Sequence, residues 1–540
     1  MDFIAPTLDY LKLAPFLIVL GAACVEILLE AFLPRRIRFA AQVIVSVAAL
    51  LAALVLLFWA WGKGSGLVDP SSGTVISGTV LVDGPAKSLW TILLGFGLIS
   101  VILFAERRVH SGATAFTPSA ASIPGSAAES EASGAGLVHS EVFPLALFSL
   151  SGMMLFIAAN NLLVLFVALE ILSLPLYVMS GLARHRRLVS QEAALKYFLL
   201  GAAASAIFLF GVAFLFGYAG SFSYDQLANA LTFTWGQDAL MLAGMGLVSV
   251  GLLFKIGAVP FHSWVPDVYQ GAPTPVTAFM SVCTKVAAVG GLLRLFYVGL
   301  GGMRWTWQPI LAGVAILTIV VGAIIAINQS DIKRVMAYSS IAHAGFVLVP
   351  VVGAFAMQTG LPSGQVGSVA SVLFYLVAYG FATIGCFAII TLVRRNGQEA
   401  NDLDSWAGIG RRHPVIGVSM VIFLLSLAGI PLTAGFVGKF VAFMAAWRGG
   451  YWWLALVAIA GSVIAVCIYI RVIGVMFFRE PVIPPEPTDS DTVADLVNPG
   501  TATWIVLILC MIGTLGLGIW PGPVLDALQA AASFVLPSGS

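Results

Sequence analysis

The sequence predicts an all-α protein that crosses the membrane many times, with about fourteen transmembrane helices. The mean hydropathy of the 540 residues is +1.01 and only 9% of them are charged, whereas soluble chains carry about 25% charged residues. Apolar runs of about 20 residues, the length that crosses a bilayer, recur along the whole chain. Two of the runs are interrupted by proline and glycine in corresponding places, which indicates two inverted repeats.

The elements follow from the runs, each of which is expected to form one membrane-spanning helix. The runs lie near residues 13–33, 40–61, 88–105, 142–159, 161–182, 191–219, 239–259, 274–298, 308–328, 334–356, 366–393, 413–446, 451–478 and 501–520.

Helices seven and twelve are expected to be broken. In the seventh run Pro260 follows Lys255 by five residues, and in the twelfth Gly429 and Pro431 precede Lys439. Proline and glycine interrupt the helical hydrogen bonds, which a membrane tolerates where the gap is buried or lines water.

The loops give the orientation and the remaining organisation. With the N-terminus outside, fifteen basic residues fall in inner loops and five in outer loops, so the positive-inside rule places both termini outside. Residues 111–140 are rich in Ala, Ser and Gly and predict a disordered, dispensable cytoplasmic loop. The Pro-rich acidic run at 481–495 predicts a second exposed loop.

Five segments result. They are an N-terminal three-helix segment (1–110), the low-complexity loop (111–140), a first repeat (141–300), a second repeat (301–480), and an acidic loop with a C-terminal helix (481–540).

Four of the eight lysines stand inside apolar runs: Lys196, Lys255, Lys285 and Lys439. Together they would cost on the order of 10–14 kcal/mol at the bilayer centre before any compensation. Anchoring in lipid needs no such groups, whereas a proton path through a membrane does. Snorkelling to a surface is the competing interpretation, and it is stronger for Lys196, near its helix start, than for the lysines beside breaks.

A carboxylate and a histidine lie among the same apolar helices. Glu170 is flanked by apolar residues on both sides, so it needs a cation partner to stay charged. A Glu170–Lys255 pair could act as a switch, and a static ion pair that fixes helix packing is the alternative. His343 stands about 18 Å along its helix from the preceding loop, either as a proton relay or as a satisfied packing residue.

Other charged residues receive ordinary interpretations. Glu26 and Glu30 share one helix face and are expected to reach the inner surface. Solvated loop charge is expected for Asp267, Asp331, Lys333 and Arg334.

The sequence lacks recognisable cofactor motifs. The five cysteines are isolated, without a Cys-x-x-Cys pair, and neither a complete Gly-x-Gly-x-x-Gly nor a phosphate loop occurs. We therefore expect no cofactor and no metal in this chain. Because no stretch is basic enough to neutralise a phosphate backbone, no nucleic-acid partner is expected either.

Several motifs resemble the subunit N (subunit 2) family of proton-translocating NADH–quinone oxidoreductase, respiratory complex I. They are LEILSLPLYVMSG (169–181), EAALKYFLLGAAASA (192–206), FKIGAVPFHSWVPDVYQGAPTPVTAFMSVCTKVA (254–287), NQSDIKRVMAYSSIAHAGF (328–346), DLDSWAGIGRRHP (402–414) and GIPLTAGFVGKF (429–440). The resemblance spans roughly residues 142–480, and the serine-rich stretch at 111–140 departs from it.

The resemblance implies an antiporter-like bundle of two inverted five-helix repeats, helices four to eight and nine to thirteen. It implies a membrane axis for proton translocation, whose members are Glu170, Lys196, Lys255, Lys285 and Lys439. His343 is added to these candidates because of its position near mid-membrane. NADH, FMN, iron–sulfur clusters and quinone would be bound by other subunits of the complex. The partners would be the other membrane subunits, including neighbouring antiporter-like ones, and the lipid of the cell inner membrane. A subunit of a cation/proton antiporter and a non-conducting scaffold are the alternatives.

Overall fold

The computed structural model describes residues 9–62, 74–76, 78–108, 113–124, 126–134, 138–233, 238–354, 365–395, 397–480 and 494–535. The α-helices of these residues are α1 (Tyr10–Phe32), α2 (Arg35–Gly62), α3 (Gly84–Phe104), α4 (Ala127–Gly134), α5 (Val142–Ala158), α6 (Leu162–Ser180), α7 (Arg187–Ala219), α8 (Tyr224–Phe233), α9 (Asp238–Ile256), α10 (Trp264–Gly271), α11 (Thr274–Phe279), α12 (Lys285–Arg294), α13 (Arg304–Ile327), α14 (Ile332–Gly353), α15 (Ser368–Leu392), α16 (Ile409–Arg412), α17 (Pro414–Ala428), α18 (Ala434–Arg448), α19 (Trp452–Phe478), α20 (Thr501–Ile519) and α21 (Gly522–Ala530).

Short strands and irregular turns complete the structure. Two π-helical turns, Met280–Thr284 and Leu295–Gly299, lie on either side of α12, and 3₁₀ turns occur at Gly301–Met303 and Leu403–Trp406. The strands are β1 (Thr74–Ile76), β2 (Val80–Leu81), β3 (Val393–Arg395), β4 (Gln398–Glu399) and β5 (Asp495–Leu496). They form an antiparallel pair, β1–β2, and a three-stranded sheet in the order β4-β3-β5, all at helix ends.

The multi-helix membrane architecture predicted from the sequence is confirmed. Twelve helices of the described residues are long and apolar enough to span a membrane, and a thirteenth candidate is bent by 119° between Leu403–Arg412 and Pro414–Ala428. The expected number was about fourteen. The difference arises because α5 has only 17 residues and because the twelfth run is divided into two 15-residue helices, α17 and α18.

Both expected helix breaks are present. Helix α9 ends one residue after Lys255, and Gly257 takes a φ of +78°, which residues with a side chain rarely adopt. Helix α17 ends at Ala428, and Gly429 takes a φ of +87° before α18 begins. The two breaks fall in the seventh and twelfth predicted runs, five apart, as repeats of five helices require.

The centre of the bundle is formed by α14, α15 and the continuous stretch Thr274–Gly299, which are almost entirely buried. Helices α1, α2 and α20 leave most of their surface exposed. Because apolar residues face outward on those helices and inward on the central ones, hydropathy alone does not separate the two classes.

The segment 111–140 is folded where the structure describes it, so the expectation of disorder is wrong. Phe116 is buried and packs edge-on against Phe104 at 5.8 Å. The Thr117 amide donates to the Leu182 carbonyl at 2.9 Å, and α4 lies within the segment. A periodicity search does not detect such order, because one buried ring and hydrogen bonds to another loop hold the segment in place.

The second predicted loop is described only at its end, since residues 481–493 lie outside the described part of the chain. Asp495 belongs to β5 and pairs with Arg394 of β3. Its carboxylate accepts hydrogen bonds from Arg412 at 3.3 Å and His413 at 2.8 Å. The described end of the acidic run therefore lies against Arg412 and His413, at the start of α17.

Candidate functional site

Lys255 lies in the last turn of α9 and is only 3% exposed. Within the described residues its Nζ has no hydrogen-bond partner. The ammonium instead stands 5.4 Å from the ring centroid of Tyr177 and 5.3 Å from that of Tyr197. Two aromatic faces can stabilise a desolvated cation by about 2 kcal/mol or more each, without binding its proton as a carboxylate would.

Glu170 lies half-buried in α6, and its Oε1 has no hydrogen-bond partner among the residues described. It is the carboxylate that acts electrostatically on Lys255, but the described part of the chain contains no ion pair within 4 Å between them. Tyr177, two turns further along α6, interacts with both groups. Glu170 and Lys255 therefore do not form the expected close ion pair in this structure, and Tyr177 lies beside both side chains.

Lys285 is the first residue of α12 and follows a π-helical turn directly. Its buried Nζ donates to the carbonyl oxygen and the hydroxyl of Ser340, and to the Tyr379 hydroxyl at 3.3 Å. The Tyr379 ring centroid is 4.8 Å away. π-helical turns are rare and frequently occur at functional sites, and this one directly precedes the lysine.

His343 is buried in α14 with a hydroxyl at each ring nitrogen. Nδ1 is 2.6 Å from the Tyr375 hydroxyl and Nε2 is 3.1 Å from the Tyr469 hydroxyl. The latter is in turn 2.6 Å from the hydroxyl of Ser339. Both nitrogens are satisfied, as a packing residue requires. Hydroxyl groups can also donate or accept, so the same arrangement allows a proton to be passed on either side.

Lys439 lies beside the second helix break and is 5% exposed. Its Nζ donates to the carbonyls of Leu427 at 2.9 Å and Ala428 at 2.8 Å, and to the Ser462 hydroxyl at 2.8 Å. The two carbonyls end α17, where the helix dipole is negative and the break has removed their helical partners. The interruption thus supplies the acceptors that a carboxylate would otherwise provide.

A cavity of about 550 Å³ lies beside Lys439. Its walls are mainly apolar side chains of α18 and α19, including Phe436, Phe440, Phe443, Trp447, Ile459 and Val463. Lys439 and Ser462 supply polar groups in its lining.

Aromatic residues connect Lys285, His343 and Lys439. The His343 ring is 5.1 Å from the Tyr379 ring, which contacts Lys285. On the other side it is 5.6 Å from the Phe346 ring, and the Lys439 ammonium stands 4.9 Å from that same ring. The structure therefore brings together the three residues that the sequence places on separate helices.

Lys255 is linked to this group less directly. Tyr197 stacks on Trp264 at 4.6 Å, and Trp264 meets Tyr269 edge-on at 6.5 Å. The Tyr269 hydroxyl is 3.4 Å from the Ser340 hydroxyl, which also bonds to Lys285. No hydrogen bond joins Lys255 to Lys285 within the described residues, so water would be needed for a proton to pass between them.

Lys196 is not buried, contrary to the expectation from its apolar run. Its side chain is 45% exposed and pairs with Glu192 at 2.8 Å and Asp267 at 3.0 Å. Asp267 also accepts from Arg334 at 2.9 Å. Because α7 begins at Arg187, Lys196 is near enough to the helix start to reach the carboxylate of Asp267 in the short helix α10, which is the snorkelling alternative.

Lys333 is also different from its expectation, since it is buried rather than solvated. Its Nζ pairs with Glu399 at 2.9 Å, and Arg394 lies 3.9 Å from the same carboxylate. Burial by itself would raise the pKa of Glu399, but the two cations and a hydrogen bond from Thr274 lower it to about 2. In the sequence Glu399 stands in a polar stretch, and nothing there distinguishes it from a solvated charge.

Glu26 and Glu30 differ from each other. Glu26 is fully buried and accepts a hydrogen bond from Ser46, so the expectation that it reaches the surface is wrong. Glu30 accepts from Arg38 at 2.8 Å and from Ser140 at 2.7 Å. The sequence does not show this difference because the partners come from α2 and a distant loop.

The described residues contain no group of three or more His, Cys, Asp or Glu side chains that could hold a metal ion.

The fold and the buried lysines define a class, the antiporter-like membrane subunits. Residues 159–465 match the family model described as NADH:quinone oxidoreductase/Mrp antiporter, TM. A chain of the Mrp complex from Dietzia sp. has the same fold, with a TM-score of 0.76, 21% identity and 97% of each chain covered. A chain of respiratory complex I from Thermus thermophilus superposes with a TM-score of 0.73 at 30% identity, over 96% of this chain and 99% of that one.

Relatives that match nearly the whole chain identify the family within this class. The chain is 52% identical over 535 residues to NADH-quinone oxidoreductase subunit N of Cutibacterium acnes, covering 99% of this chain and 97% of the relative. It is 50% identical over 543 residues to the subunit of the same name from Nocardioides sp., covering 99% and 100%. The chain belongs to the NADH-quinone oxidoreductase subunit N family, so the resemblance noted in the sequence is confirmed.

Proposed function

We propose that this chain moves protons across the membrane along Lys255, Lys285, His343 and Lys439, as a membrane subunit of NADH-quinone oxidoreductase. NADH oxidation and quinone reduction take place in the other subunits of the complex, and this chain uses the energy they release. Its partners are the neighbouring membrane subunits, including antiporter-like ones.

One observation carries the proposal: Lys255, Lys285 and Lys439 lack a carboxylate within ion-pair distance in the described part of the chain. Two other buried cations of the same protein do have one: Arg294 has Asp83 at 2.5 Å and Lys333 has Glu399 at 2.9 Å. A paired cation keeps its proton. A lysine surrounded by hydroxyls, carbonyls and aromatic rings can gain or lose one as its surroundings change.

Lys439 is proposed as the terminal site. Its carbonyl acceptors stabilise the charged form, and the adjacent cavity offers a route outward or toward a neighbouring subunit. Glu170 and Lys255 are proposed as the switching pair. Closing the gap bordered by Tyr177 would favour the charged lysine, and opening it would favour proton release.

The location proposed is the cell inner membrane, with the arginine-rich face inside and both termini outside. Loops assigned to the inner side contact one another, as the Arg187–Ser122 and Arg412–Asp495 hydrogen bonds illustrate. Loops assigned to the outer side do so as well, as in the hydrogen bond from the Asn160 side chain to the Gly78 carbonyl. This division agrees with the excess of basic residues on one side.

The test is NADH-driven proton uptake into inverted vesicles that carry the Lys285→Met complex. Loss of a positioned proton-transfer group should reduce uptake about a hundredfold. NADH oxidation by an artificial acceptor should stay unchanged, because that site is in other subunits. Lys12→Met, at a partly exposed lysine, is the matched control and should pump normally.

His343→Ala should reduce uptake less than Lys285→Met, since water can replace a lost imidazole more readily than a cation. Unchanged uptake in both variants would support a scaffold role instead. An antiporter assignment would be favoured if the chain purified without an NADH- and quinone-reactive complex.

A further inference from the structure

A basic cavity lies where α1 ends and α2 begins, and none of the residues of the proposed proton path lines it. It has a volume of about 420 Å³ and is bounded by the α1–α2 turn, the residues after α3 and the start of α5. Four arginines line it: Arg35, Arg36, Arg38 and Arg107. We call this site the arginine cavity; it lies where α1 ends and α2 begins.

The lining of the arginine cavity carries more positive than negative charge. Its only carboxylates among the described lining residues are Glu30 and Glu141, which leaves a net charge of +2 with histidine neutral. Arg38 is paired with Glu30 at 2.8 Å. Arg35 and Arg36 are exposed, and neither has a hydrogen-bond or ion-pair partner among the described residues.

Two further features of the lining point to an anion. His139 is only 8% exposed, and its Nε2 has no hydrogen-bond partner within the described residues, the closest carboxylate, on Glu141, being 3.6 Å away. Arg35 also begins α2, a helix of 28 residues, so free backbone amides and the positive end of the helix dipole add to the potential.

The surroundings of the cavity are apolar. Phe32 is 81% exposed and Ile37 is 53% exposed, and both stand beside the arginines on helices that leave most of their surface exposed. Phe39 lines the cavity beneath the Arg107 guanidinium, 5.3 Å from it. A ligand that fills this place would need a charged group above and apolar chains alongside.

We propose that the arginine cavity binds the phosphate headgroup of an anionic phospholipid, whose acyl chains lie along α1 and α2. Guanidinium groups bind phosphate oxygens in a bidentate manner, and basic pockets between transmembrane helices bind such headgroups. A free phosphate ion satisfies the same charges but leaves the apolar flanks uncovered. The proposal does not depend on proton translocation.

The experiment uses the intact complex in phosphatidylcholine nanodiscs with increasing amounts of a photoreactive phosphatidylglycerol. Crosslinks should map to residues 32–39, 107 and 138–141. In the double variant Arg35→Gln/Arg36→Gln, half-maximal labelling should need about thirtyfold more phosphatidylglycerol, from about fivefold per charge near the surface.

Arg411→Gln/Arg412→Gln is the matched control, since it removes two exposed arginines elsewhere on the same face and should leave this labelling unchanged. Arg35→Lys/Arg36→Lys keeps the charge but lacks the planar guanidinium groups. The phosphatidylglycerol that it needs for half-maximal labelling should lie between the amounts for the wild type and the glutamine variant. This variant tests the proposal even if the glutamine variant does not assemble. Displacement of the label by millimolar inorganic phosphate would overturn the proposal in favour of a free anion site. Equal labelling by a photoreactive phosphatidylcholine would also overturn the proposal. So would an equal loss of labelling in the Arg411→Gln/Arg412→Gln control.

Discussion

The buried Asp83–Arg294 pair offers a prediction whose size follows from the structure. Both side chains are 1% exposed, and Asp83 accepts from the two Nη atoms at 3.0 and 2.5 Å. Asp83 also caps α3 by accepting from the Ala86 amide at 3.1 Å. The pair ties the start of α3 to the end of α12, and Arg294 also donates to the Ile157 carbonyl of α5.

Asp83→Ala should destabilise the protein by about 4–6 kcal/mol. Leaving a buried cation without its partner costs about 3–5 kcal/mol, and the lost helix cap adds about 1 kcal/mol. Asp9 is the matched control, since it also caps a helix, α1, and pairs with Lys12 at 3.4 Å, but with 38% of its side chain exposed. Asp9→Ala should cost only about 1–2 kcal/mol for its cap and surface pair.

The measurement is the half-life of NADH-driven quinone reduction on heating, together with the amount of this chain in assembled complex. If the difference of about 3 kcal/mol lies in the unfolding barrier, the Asp83→Ala half-life should be about a hundredfold shorter than that of Asp9→Ala. The double variant Asp83→Leu/Arg294→Met should have a longer thermal half-life than Asp83→Ala, because neither buried charge of this pair remains. Equal half-lives for the two single variants would refute the reasoning.

Three further predictions concern other parts of the chain. Lys255→Arg should lose proton uptake in inverted vesicles although the charge is kept, because arginine does not release its proton; normal uptake would contradict a relay role. Phe116→Ala should destabilise the 111–140 segment by about 3–5 kcal/mol and lower the amount of assembled complex, with exposed Ile123→Ala as the control; equal amounts would mean that the segment is dispensable. The pKa of Glu399 is about 2 in the folded protein, below its ordinary value of 4.5, so its stabilising effect is complete above about pH 4.5 and is lost as the pH falls toward 2. The thermal half-life should fall over that range in the wild type and less in Glu399→Gln, and parallel profiles would exclude Glu399 as the cause.

Much of the candidate site could be predicted because a charge in an apolar run is conspicuous. Lys255, Lys285 and Lys439 are buried as the sequence predicts, and two of them stand beside breaks that Pro260 and Pro431 mark in the sequence. Their chemical roles remain proposals.

The residues around these lysines could not be predicted. Tyrosines 177, 197, 375, 379 and 469 contact the lysines or the histidine, but a tyrosine in an apolar helix has the pattern of any packing residue. Lys196 shows the opposite error. It stands in a run as apolar as the others, and only the position of Asp267 in space reveals that its side chain pairs at the helix surface.

The sequence by itself determined the membrane class, the number of helices to within one or two, the two breaks and the family. These are local properties, since hydropathy, helix-breaking residues and motifs act within a few turns of the chain. Only the tertiary structure decided which charges are paired. The carboxylates of Asp83 and Glu399 neutralise cations 211 and 66 residues away, while Lys255, Lys285 and Lys439 receive rings, hydroxyls and carbonyls instead. Charge pairing depends on distances of a few ångströms between helices that are remote in sequence, and no pattern along the chain contains those distances.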